Sequence, residues 1–419
     1  MTQGEPVHMP ELLAPAGGME PLRAALRYGA DAVYGGMTRY GLRASASNFD
    51  AEAFPRAVAL AHSYGKPFYV TLNLLPFDRD MEGYLAAARQ AQDAGADAAI
   101  VSDLGAALSL HEALPTLPLH ISTQANVLNT RTALHFHEVT GAERIVLSRE
   151  MSLADIRAMR ASLPESLRLE AFVHGAMCLA YSGRCLMSTA LTGRSANRGA
   201  CAQPCRWHYH VVEEKRPGAY MPVMQEERGT SIFSAFDLCM LPHLPELAAA
   251  GIASLKIEGR MKTAYYVATV VSAYRQALDV LAKEGETAFY AAVPALMAEL
   301  EKAGHRKSNT GFYYGDPQPA AGAEGVLQSM EFVGQIISDA PAGAPAEVLV
   351  KNRFHVGDAL EALTPAGSQP FTVMGMTSLE TGESLQTVSI AGTRLRMSFP
   401  FAVEAGDILR GENRNHKPL

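Results

Sequence analysis

The feature that most constrains the fold of this chain is a repeated pairing of a short apolar run with an amphipathic stretch rich in alanine. The pattern begins at ELLAPAG, residues 11–17, and contains eight apolar runs, most of them followed by such a stretch, the last run being SLKIEGR, residues 254–260. Continuous apolar runs are typical of buried parallel strands, and the stretches between them have helical periodicity. Eight β-α units predict a closed, TIM-like (β/α)8 barrel, with a doubly wound open sheet as the alternative.

One connection interrupts this regular pattern. Between the seventh and eighth apolar runs lies a much longer segment, and we assign residues 174–253 to an insertion over the C-terminal mouth of the barrel. A long connection inside a compact domain usually serves function. The insertion contains every cysteine of the chain: Cys178, Cys185, Cys201, Cys205 and Cys239.

The texture of the sequence changes after GFYYGDPQP, residues 311–319. A small, flexible stretch follows, and beyond it come short β-like runs broken by Gly-Asp and Pro, without a convincing helical pattern. We therefore predict a barrel domain over residues 1–318, a linker over 319–327, and a small C-terminal all-β barrel domain over 328–419.

Polar residues occur where the predicted strands end, which is where barrel enzymes place their chemistry. Strand-end salt bridges or ordinary polar termini would explain several of them. The segment KIEGRMK is the most suggestive, because four charges crowd one strand end directly after the cysteine-bearing insertion. In it, Glu258 is a paired structural ion, a general base or a positioning group, and Arg260 and Lys262 are candidates to hold a carboxylate. The other strand-end candidates are Asn73, Asp103, Gln124, Asn126, Arg149, Glu150, His174 and Lys256.

Three interpretations of the cysteines compete. Buried structural thiols fit poorly, because the residues between the cysteines are Gly, Ser, Arg and Asn rather than an apolar face. Zinc fits the close pair CAQPC, residues 201–205, but not the wider spacing of Cys178 and Cys185. An iron–sulfur cluster takes thiolate ligands at widely varying spacing, and five cysteines are enough for one four-iron cluster.

Local charge separates this region from the rest of the chain. The net charge of −7 argues against broad nucleic-acid binding, yet residues 171–212 contain no Asp or Glu. Arginines and aromatic residues there suit a negatively charged cluster, a carboxylate, or RNA phosphates and bases, and a solvated basic loop is the plainer alternative. These side chains are Arg184, Arg194, Arg198, Arg206, Trp207, His208, Tyr209 and His210.

The chain lacks both a signal-peptide pattern and a long apolar run, so we expect no membrane span and a reducing cytoplasmic location. In such a compartment a cysteine cluster indicates metal or redox chemistry more often than disulfides. The sequence also lacks the GxSxG and HExxH motifs of serine hydrolases and zinc peptidases.

Several blocks resemble the collagenase-like peptidase family U32. EAFVHGAMCLAYSGRCLMS, residues 170–188, is similar to the family signature, and ELLAPAGGMEPLRAALRYGADAVYGG resembles its opening. The resemblance extends over residues 10–280 through RSANRGACAQPCRW, FDLCMLPHLPEL and SLKIEGRMKTAYYVATV, and the β-rich tail resembles the family's C-terminal domain.

The resemblance implies an oxygen-independent hydroxylase carrying a 4Fe-4S cluster. One group of the family hydroxylates the wobble uridine of tRNA to 5-hydroxyuridine with prephenate as oxygen source, a second modifies a cytidine of 23S rRNA, and a third acts on ubiquinone precursors. The length and the region before Cys239 look most like the tRNA group. A peptidase, or an RNA-binding factor with a purely structural cluster, remains the alternative.

The resemblance also implies the cluster ligands. Cys178, Cys185 and Cys201 match ligand positions, and the fourth ligand is Cys239 or Cys205. We favour Cys239 at this stage, because a ligand from a distant segment would clamp the insertion against the barrel. A cluster with three protein ligands and an open iron site is a further possibility.

Overall fold

The structure is a computed structural model, and it describes residues 9–43, 46–178, 181, 185–207, 211–212, 220–221, 236–315 and 326–413. Within the first 309 residues it contains twelve described strands: β1 (Glu11–Ala16), β2 (Ala32–Gly35), β3 (Phe68–Leu72), β4 (Ala98–Val101), β5 (Leu119–Ile121), β6 (Arg144–Val146), β7 (Arg168–Ala176), β8 (Val211–Val212), β9 (Tyr220–Met221), β10 (Asp237–Cys239), β11 (Ser254–Ile257) and β12 (Ser308–Asn309).

Strands β1 to β7 pair in sequence order and in parallel, and β11 closes the ring. It pairs with β1 on one side, with Leu255 opposite Leu12, and with β7 on the other, with Lys256 opposite Phe172. The predicted closed (β/α)8 barrel is therefore confirmed over the open sheet. Strand β10 adds to β7 in antiparallel direction, and β12 adds to β10.

The described helices surround the barrel, and the segment after β7 adds two short ones. In chain order they are α1 (Met19–Arg27), α2 (Ala53–Ser63), α3 (Asp78–Asp93), α4 (Leu104–Ala113), α5 (Thr130–Thr140), α6 (Leu153–Ala161), α7 (Met187–Thr192), α8 (Leu244–Ala249), α9 (Ala264–Glu284) and α10 (Glu286–Leu300). Helix α5 ends on Gly141, whose φ of 64° is a left-handed conformation that glycine adopts without steric cost. None of the described helices has the length and apolar character needed to cross a membrane.

Helix α10 was not predicted from the sequence. Its internal Pro294 is the kind of residue that normally interrupts a helix. The helix forms because Phe289 and Leu296 are buried in the barrel core, and this packing outweighs the local preference.

The barrel interior contains a buried ionic network below its mouth. Arg144 donates to Glu11 at 2.7 Å and to Glu170 at 2.9 Å, and Lys256 donates to the other oxygen of Glu170 at 2.7 Å. Burial opposes the ionisation of Glu170, but Lys256 and Arg144 outweigh it and hold its pKa below the ordinary value. The network fixes Lys256 at the level where the mouth begins.

The tail is all-β, as predicted, and has a hydrophobic core of its own. An eight-stranded antiparallel sheet has the order β17-β16-β22-β13-β14-β21-β18-β19, and β15 pairs with β20. The strands are β13 (Met330–Ile336), β14 (Pro345–Val350), β15 (Phe354–His355), β16 (Ala359–Thr364), β17 (Gly367–Thr372), β18 (Met376–Ser378), β19 (Ser384–Leu385), β20 (Thr387–Val388), β21 (Arg394–Ser398) and β22 (Ile408–Glu412). Of the predicted linker, residues 319–325 lie outside the described residues.

The tail contacts the barrel through buried polar groups. Arg410 of β22 is fully buried and pairs with Glu299 of α10 at 2.5 Å and with Glu361 of β16 at 2.8 Å. The hydroxyl of Tyr28 donates to the carbonyl of Leu363 at 2.6 Å. These contacts fix the tail against helices α1 and α10.

Candidate active site at the barrel mouth

A cavity of about 340 Å³ lies beyond the C-terminal ends of the barrel strands, where the insertion covers the mouth. This size is within the range of small-molecule sites, ~300–1,000 Å³. Cys178, Cys201 and Cys205 line it from the insertion, and Arg43, Glu258 and Lys262 line it from the barrel. The structure thus brings three cysteines together with two of the four KIEGRMK charges, Glu258 and Lys262.

Local contacts hold the cysteine segments together. Cys178 lies two residues beyond the end of β7, and Cys201 accepts a hydrogen bond from the backbone N–H of Gln203 at 3.3 Å. The backbone N–H of Ala202, which follows Cys201 in the chain, donates to the hydroxyl of Ser188 at 3.0 Å. That bond joins the Cys201 loop to helix α7, which begins two residues after the half-buried Cys185. Cys185 therefore lies in a segment tied to the cavity wall.

Cys239 is placed differently. It lies on β10 opposite His174 of β7 and is buried, with its sulfur 3.9 Å from the hydroxyl of Tyr274 and 3.8 Å from the sulfur of Met297. Burial raises the pKa of this thiol, which disfavours the thiolate form. Cys239 does not line the cavity that Cys178, Cys201 and Cys205 share.

Glu258 is fixed between arginines. Its Oε2 accepts from Nη2 of Arg149 at 3.0 Å and from Nη2 of Arg43 at 3.3 Å. Burial favours the neutral acid, but first Arg43 and then Arg149 and Arg260 outweigh it and lower the pKa of Glu258 to about 2. Of the roles predicted for Glu258, this arrangement favours a positioning ion over a general base, because a base needs a pKa nearer the working pH.

Arg260 lies deeper than predicted for a residue that grips a substrate. It is 4% exposed, and it donates to the hydroxyl of Thr71 at 2.7 Å and to the side-chain oxygen of Asn48 at 2.5 Å. Burial, and then the charge of Arg43, lower its pKa to about 10, so it stays cationic at neutral pH. The inner space that it lines holds about 30 Å³, close to the volume of one water molecule.

Gly36 makes room for this guanidinium. A Cβ at Gly36 would lie 2.2 Å from Nη2 of Arg260 and 2.6 Å from Oγ1 of Thr71, which no real packing allows. The position of Arg260 therefore depends on a missing side chain at the end of β2.

Lys262 lies at the cavity, whereas His174 is buried in the protein interior. Lys262 reaches the cavity, donates to the carbonyl of Gly304 at 3.0 Å, and lies 4.7 Å from the ring centroid of Tyr266. His174 is buried behind the mouth, and burial lowers its pKa to about 3, so its imidazole is neutral. Lys262 thus places its ammonium group at the cavity, whereas His174 serves packing.

Most of the other strand-end candidates have structural partners. Asp103 caps helix α4 by accepting from the backbone of Ala106 at 2.9 Å. Asn73 donates to Gln124 at 3.3 Å, and Asn126 accepts from Ser148 at 3.2 Å. Asn73 and Gln124 also line the inner space of the mouth, and these hydrogen bonds give each of the residues a structural role.

Further strand-end candidates have charged or aromatic neighbours. Lys256 lies 4.3 Å from the ring centroid of Tyr34, and the guanidinium of Arg149 lies 3.8 Å from that of Phe172. Glu150 is half-buried.

Arg43 is the main site residue that the sequence analysis did not single out. It lies eight residues beyond the end of β2, so the strand-end rule does not reach it. The carboxylate of Glu258 chiefly raises its pKa, and Cys178 and Cys201 contribute, which places Arg43 between the barrel and the cysteines. A search for cations in the loops after each strand would have found it.

The arginine-rich span is only partly described. Arg194 is exposed and donates to the carbonyl of Ala200 at 3.0 Å, whereas Arg198 pairs with Asp80 at 2.8 Å. Arg184, His208, Tyr209 and His210 lie outside the described residues, as does the side chain of Arg206.

The sequence matches two protein-family models and several named proteins. The model of "Peptidase family U32" matches residues 17–322, and that of its C-terminal domain matches residues 328–410. A tRNA hydroxylation protein P from Escherichia coli is 36% identical over 421 aligned positions, covering 90% of each chain.

Two further relatives have other names. A 23S rRNA 5-hydroxycytidine synthase from Escherichia coli is 35% identical, covering 85% of this chain and 53% of that protein. A collagenase from Porphyromonas gingivalis is 34% identical, covering 64% of this chain and 65% of that protein.

Proposed function

The chain belongs to peptidase family U32, and from this premise we propose that it is an RNA-modifying enzyme that hydroxylates the wobble uridine of tRNA to 5-hydroxyuridine. The observation that carries the proposal is the cavity at the barrel mouth, where three cysteines meet a set of cations. Similarity over nine-tenths of each chain to a tRNA hydroxylation protein supports RNA as the substrate.

We propose that Cys178, Cys185, Cys201 and Cys205 hold a 4Fe-4S cluster. Two features of the cavity support this proposal. The N–H of Gln203 already donates to the sulfur of Cys201, a type of bond that tunes thiolate-bound clusters. Arg43 and Lys262 line the same cavity and would offset the negative charge of the thiolates. When bound, the cluster would supply redox or Lewis-acid chemistry.

The choice of Cys205 over Cys239 rests on placement. Cys205 lines the cavity, whereas Cys239 is buried beside Tyr274 and Met297 with a raised thiol pKa. We retain Cys239 as the alternative fourth ligand that the sequence favoured, and the substitutions below separate the two.

We propose that a small carboxylate, with prephenate as the candidate oxygen source, binds at Arg43 and Lys262. Both side chains face the large cavity, and guanidinium groups bind carboxylates in bidentate fashion. Arg260 lines a space too small for such a molecule, so we assign it to positioning the mouth through Thr71 and Asn48. Glu258 holds Arg43 in place as its ion-pair partner.

Nucleoside mass spectrometry tests the proposed reaction. Total tRNA and ribosomal RNA from cells lacking this protein are digested and compared with the wild type. Loss of 5-hydroxyuridine and its derivatives, restored by the wild-type chain and not by Cys178→Ala, supports the proposal. Unchanged tRNA together with lost ribosomal 5-hydroxycytidine would move the substrate to 23S rRNA, which the second relative's name favours.

Anaerobic purification tests the cluster and its ligands. The wild type should carry iron, sulfide and visible absorption, and Cys178→Ala, Cys201→Ala and Cys205→Ala should each lose most of that absorption. Cys239→Ala should keep it. A colourless wild-type protein, or a Cys239→Ala variant that alone loses the cluster, would contradict the assignment.

The peptidase alternative makes an opposite prediction. Similarity to a collagenase favours it, and gelatin cleavage by the purified chain should then survive substitution of every cysteine. A factor with a purely structural cluster should instead restore tRNA modification when Arg43 or Glu258 is replaced.

A further inference from the structure

An aromatic and arginine cluster lies on the rim of the mouth, across the seam between the barrel and the insertion. Phe77 precedes helix α3 and is 54% exposed. The guanidinium carbon of Arg79 lies 4.8 Å from its ring centroid, and that of Arg198 lies 5.2 Å away. We call Phe77, Arg79 and Arg198 the rim cluster.

The rim cluster is held in place by an ion pair. Arg198 belongs to the insertion, and its two terminal nitrogens donate to Asp80 of α3 at 2.8 and 3.2 Å. This bidentate geometry orients the guanidinium plane near Phe77 and ties the insertion to the barrel. The exposed ring and the guanidinium groups beside it are therefore preorganised rather than assembled on contact.

Exposed apolar side chains also occur around the same mouth, as they do elsewhere on the surface. Large side chains in and beside the insertion remain exposed, and Met261 also lines the cavity. Exposed apolar side chains beside a cavity are typical of an interaction surface. The exposed members are Phe77, Tyr181, Leu186, Leu191, Trp207 and Met261.

The chemistry of this surface fits single-stranded RNA. Unpaired bases stack on aromatic rings and on guanidinium planes, and arginines neutralise phosphates. Residues 171–212 contain no Asp or Glu, whereas the whole chain has a net charge of −7, so attraction to RNA must be local. A purely apolar protein partner would not call for guanidinium groups beside the exposed ring.

We propose that the rim cluster is a stacking platform for an unpaired base of an RNA loop, which leaves a neighbouring nucleotide free to enter the cavity. A duplex cannot use the platform, because its bases are already stacked and paired. The inference rests on the proposed function, since it takes the loop of an RNA as the substrate, and it adds which residues of the chain hold that loop.

Binding of labelled hairpin RNA to the full-length protein tests the platform. A hairpin with an unpaired loop and a fully paired duplex of equal length are titrated by fluorescence anisotropy. The wild type should prefer the loop, and Phe77→Ala should weaken loop binding about tenfold, as expected for the loss of one base–aromatic stack. Phe77→Trp should keep the affinity, because an indole ring also stacks.

Tyr64→Ala is the matched control. Tyr64 is 52% exposed, but it ends α2 and therefore lies at the opposite end of the barrel, so its removal should leave binding unchanged. Arg198→Lys retains the charge but loses the bidentate pair and the planar group, and it should weaken loop binding by severalfold. Equal loop affinity of folded Phe77→Ala and wild type would overturn the proposal, and so would equal affinity of the wild type for loop and duplex.

Failure of the platform and failure of the proposed reaction give different results. If tRNA nucleosides are unchanged in cells lacking the protein while loop binding still depends on Phe77, the reaction is wrong and the platform stands. If 5-hydroxyuridine depends on the protein but Phe77→Ala binds and modifies RNA like the wild type, the platform alone is wrong.

Discussion

At the scale of single residues, the ionisation of Glu258 determines what the mouth can do. The carboxylate is almost enclosed, yet Arg43 and Arg149 lower its pKa to about 2, so it stays charged through the physiological range. A charged group held by fixed partners orients a cation well and accepts a proton poorly. The mouth therefore uses Glu258 to position Arg43 beside the cysteines.

Glu258→Gln should reduce stability in a pH-dependent way. The folded pKa lies below the ordinary value, so the carboxylate stabilises the fold above that ordinary value and loses the effect as pH falls towards about 2. Urea unfolding should show a difference from wild type of about 3 kcal/mol, constant between about pH 5 and pH 8, that shrinks below about pH 4. A difference that changes between pH 6 and pH 8 would show that another group titrates.

The pH dependence of the proposed RNA hydroxylation is a second test of the role of Glu258. With a pKa of about 2, Glu258 should add no acidic limb to the rate profile above about pH 5. An acidic limb near pH 6 that disappears in Glu258→Gln would instead make it the general base.

Gly36→Ala should disturb the mouth through Arg260. The new Cβ would overlap the guanidinium at 2.2 Å, so Arg260 must leave Thr71 and Asn48. We expect a loss of stability of about 1–3 kcal/mol and a marked loss of activity. Gly41→Ala is the control, because its Cβ would meet Thr71 at 3.5 Å, an ordinary contact, and thermal unfolding should barely change. Equal melting temperatures for the two variants would contradict the packing argument.

At the scale of elements, helix α10 connects the two hydrophobic cores. It packs into the barrel core through Phe289 and Leu296, and it presents Glu299 to Arg410 of the tail. Glu361 of β16 completes the buried pair. A helix that the sequence analysis did not predict thus determines how the tail attaches to the barrel.

Arg410→Ala should destabilise the junction strongly. Arg410 is fully buried, and its removal leaves Lys302 as the remaining cation for the carboxylates of both Glu299 and Glu361. The cost of breaking a buried pair is about 3–5 kcal/mol. Arg396→Ala removes an exposed arginine of β21 that pairs with Glu347 at 3.5 Å, and it should cost at most about 1 kcal/mol. Denaturant unfolding of the two variants compares these values, and similar losses would mean that the junction ions are not coupled.

At the scale of the whole molecule, charge is unevenly distributed. The chain carries a net charge of −7, yet the insertion supplies arginines without acidic residues between positions 171 and 212. Such an asymmetry permits binding of a polyanion at one end while the rest of the surface repels it. RNA affinity should then depend on few contacts.

The salt dependence of RNA binding tests this distribution. Arg198 is already paired with Asp80, so if Arg79 and Arg194 provide the main phosphate contacts, the logarithm of the affinity should fall with the logarithm of salt with a slope of roughly −1.4 for single strands. Arg194→Ala should make the slope shallower, because one phosphate contact is lost. A slope steeper than about −6 would require a basic surface much wider than the described rim.

Local sequence was sufficient to predict the architecture. The eight barrel strands from Glu11–Ala16 to Ser254–Ile257 were predicted, because a buried parallel strand has a continuous apolar sequence that can be recognised without knowledge of its neighbours. The insertion and the family resemblance were also readable, since both depend on residues close together in the chain. The prediction failed for α10, where Pro294 masks a helix that packing stabilises.

The tertiary structure alone decided which side chains meet at the mouth. Arg43 and Glu258 are 215 positions apart in the chain, and Arg149 and Glu258 are 109 apart, so no local pattern links them. Closure of the barrel by β11 places the three together, and the path of the insertion brings Cys205 to the cavity while β10 buries Cys239. The sequence therefore determines which cysteines and charged side chains the protein has, whereas their partners, pKa values and access to the cavity follow from strand order and packing.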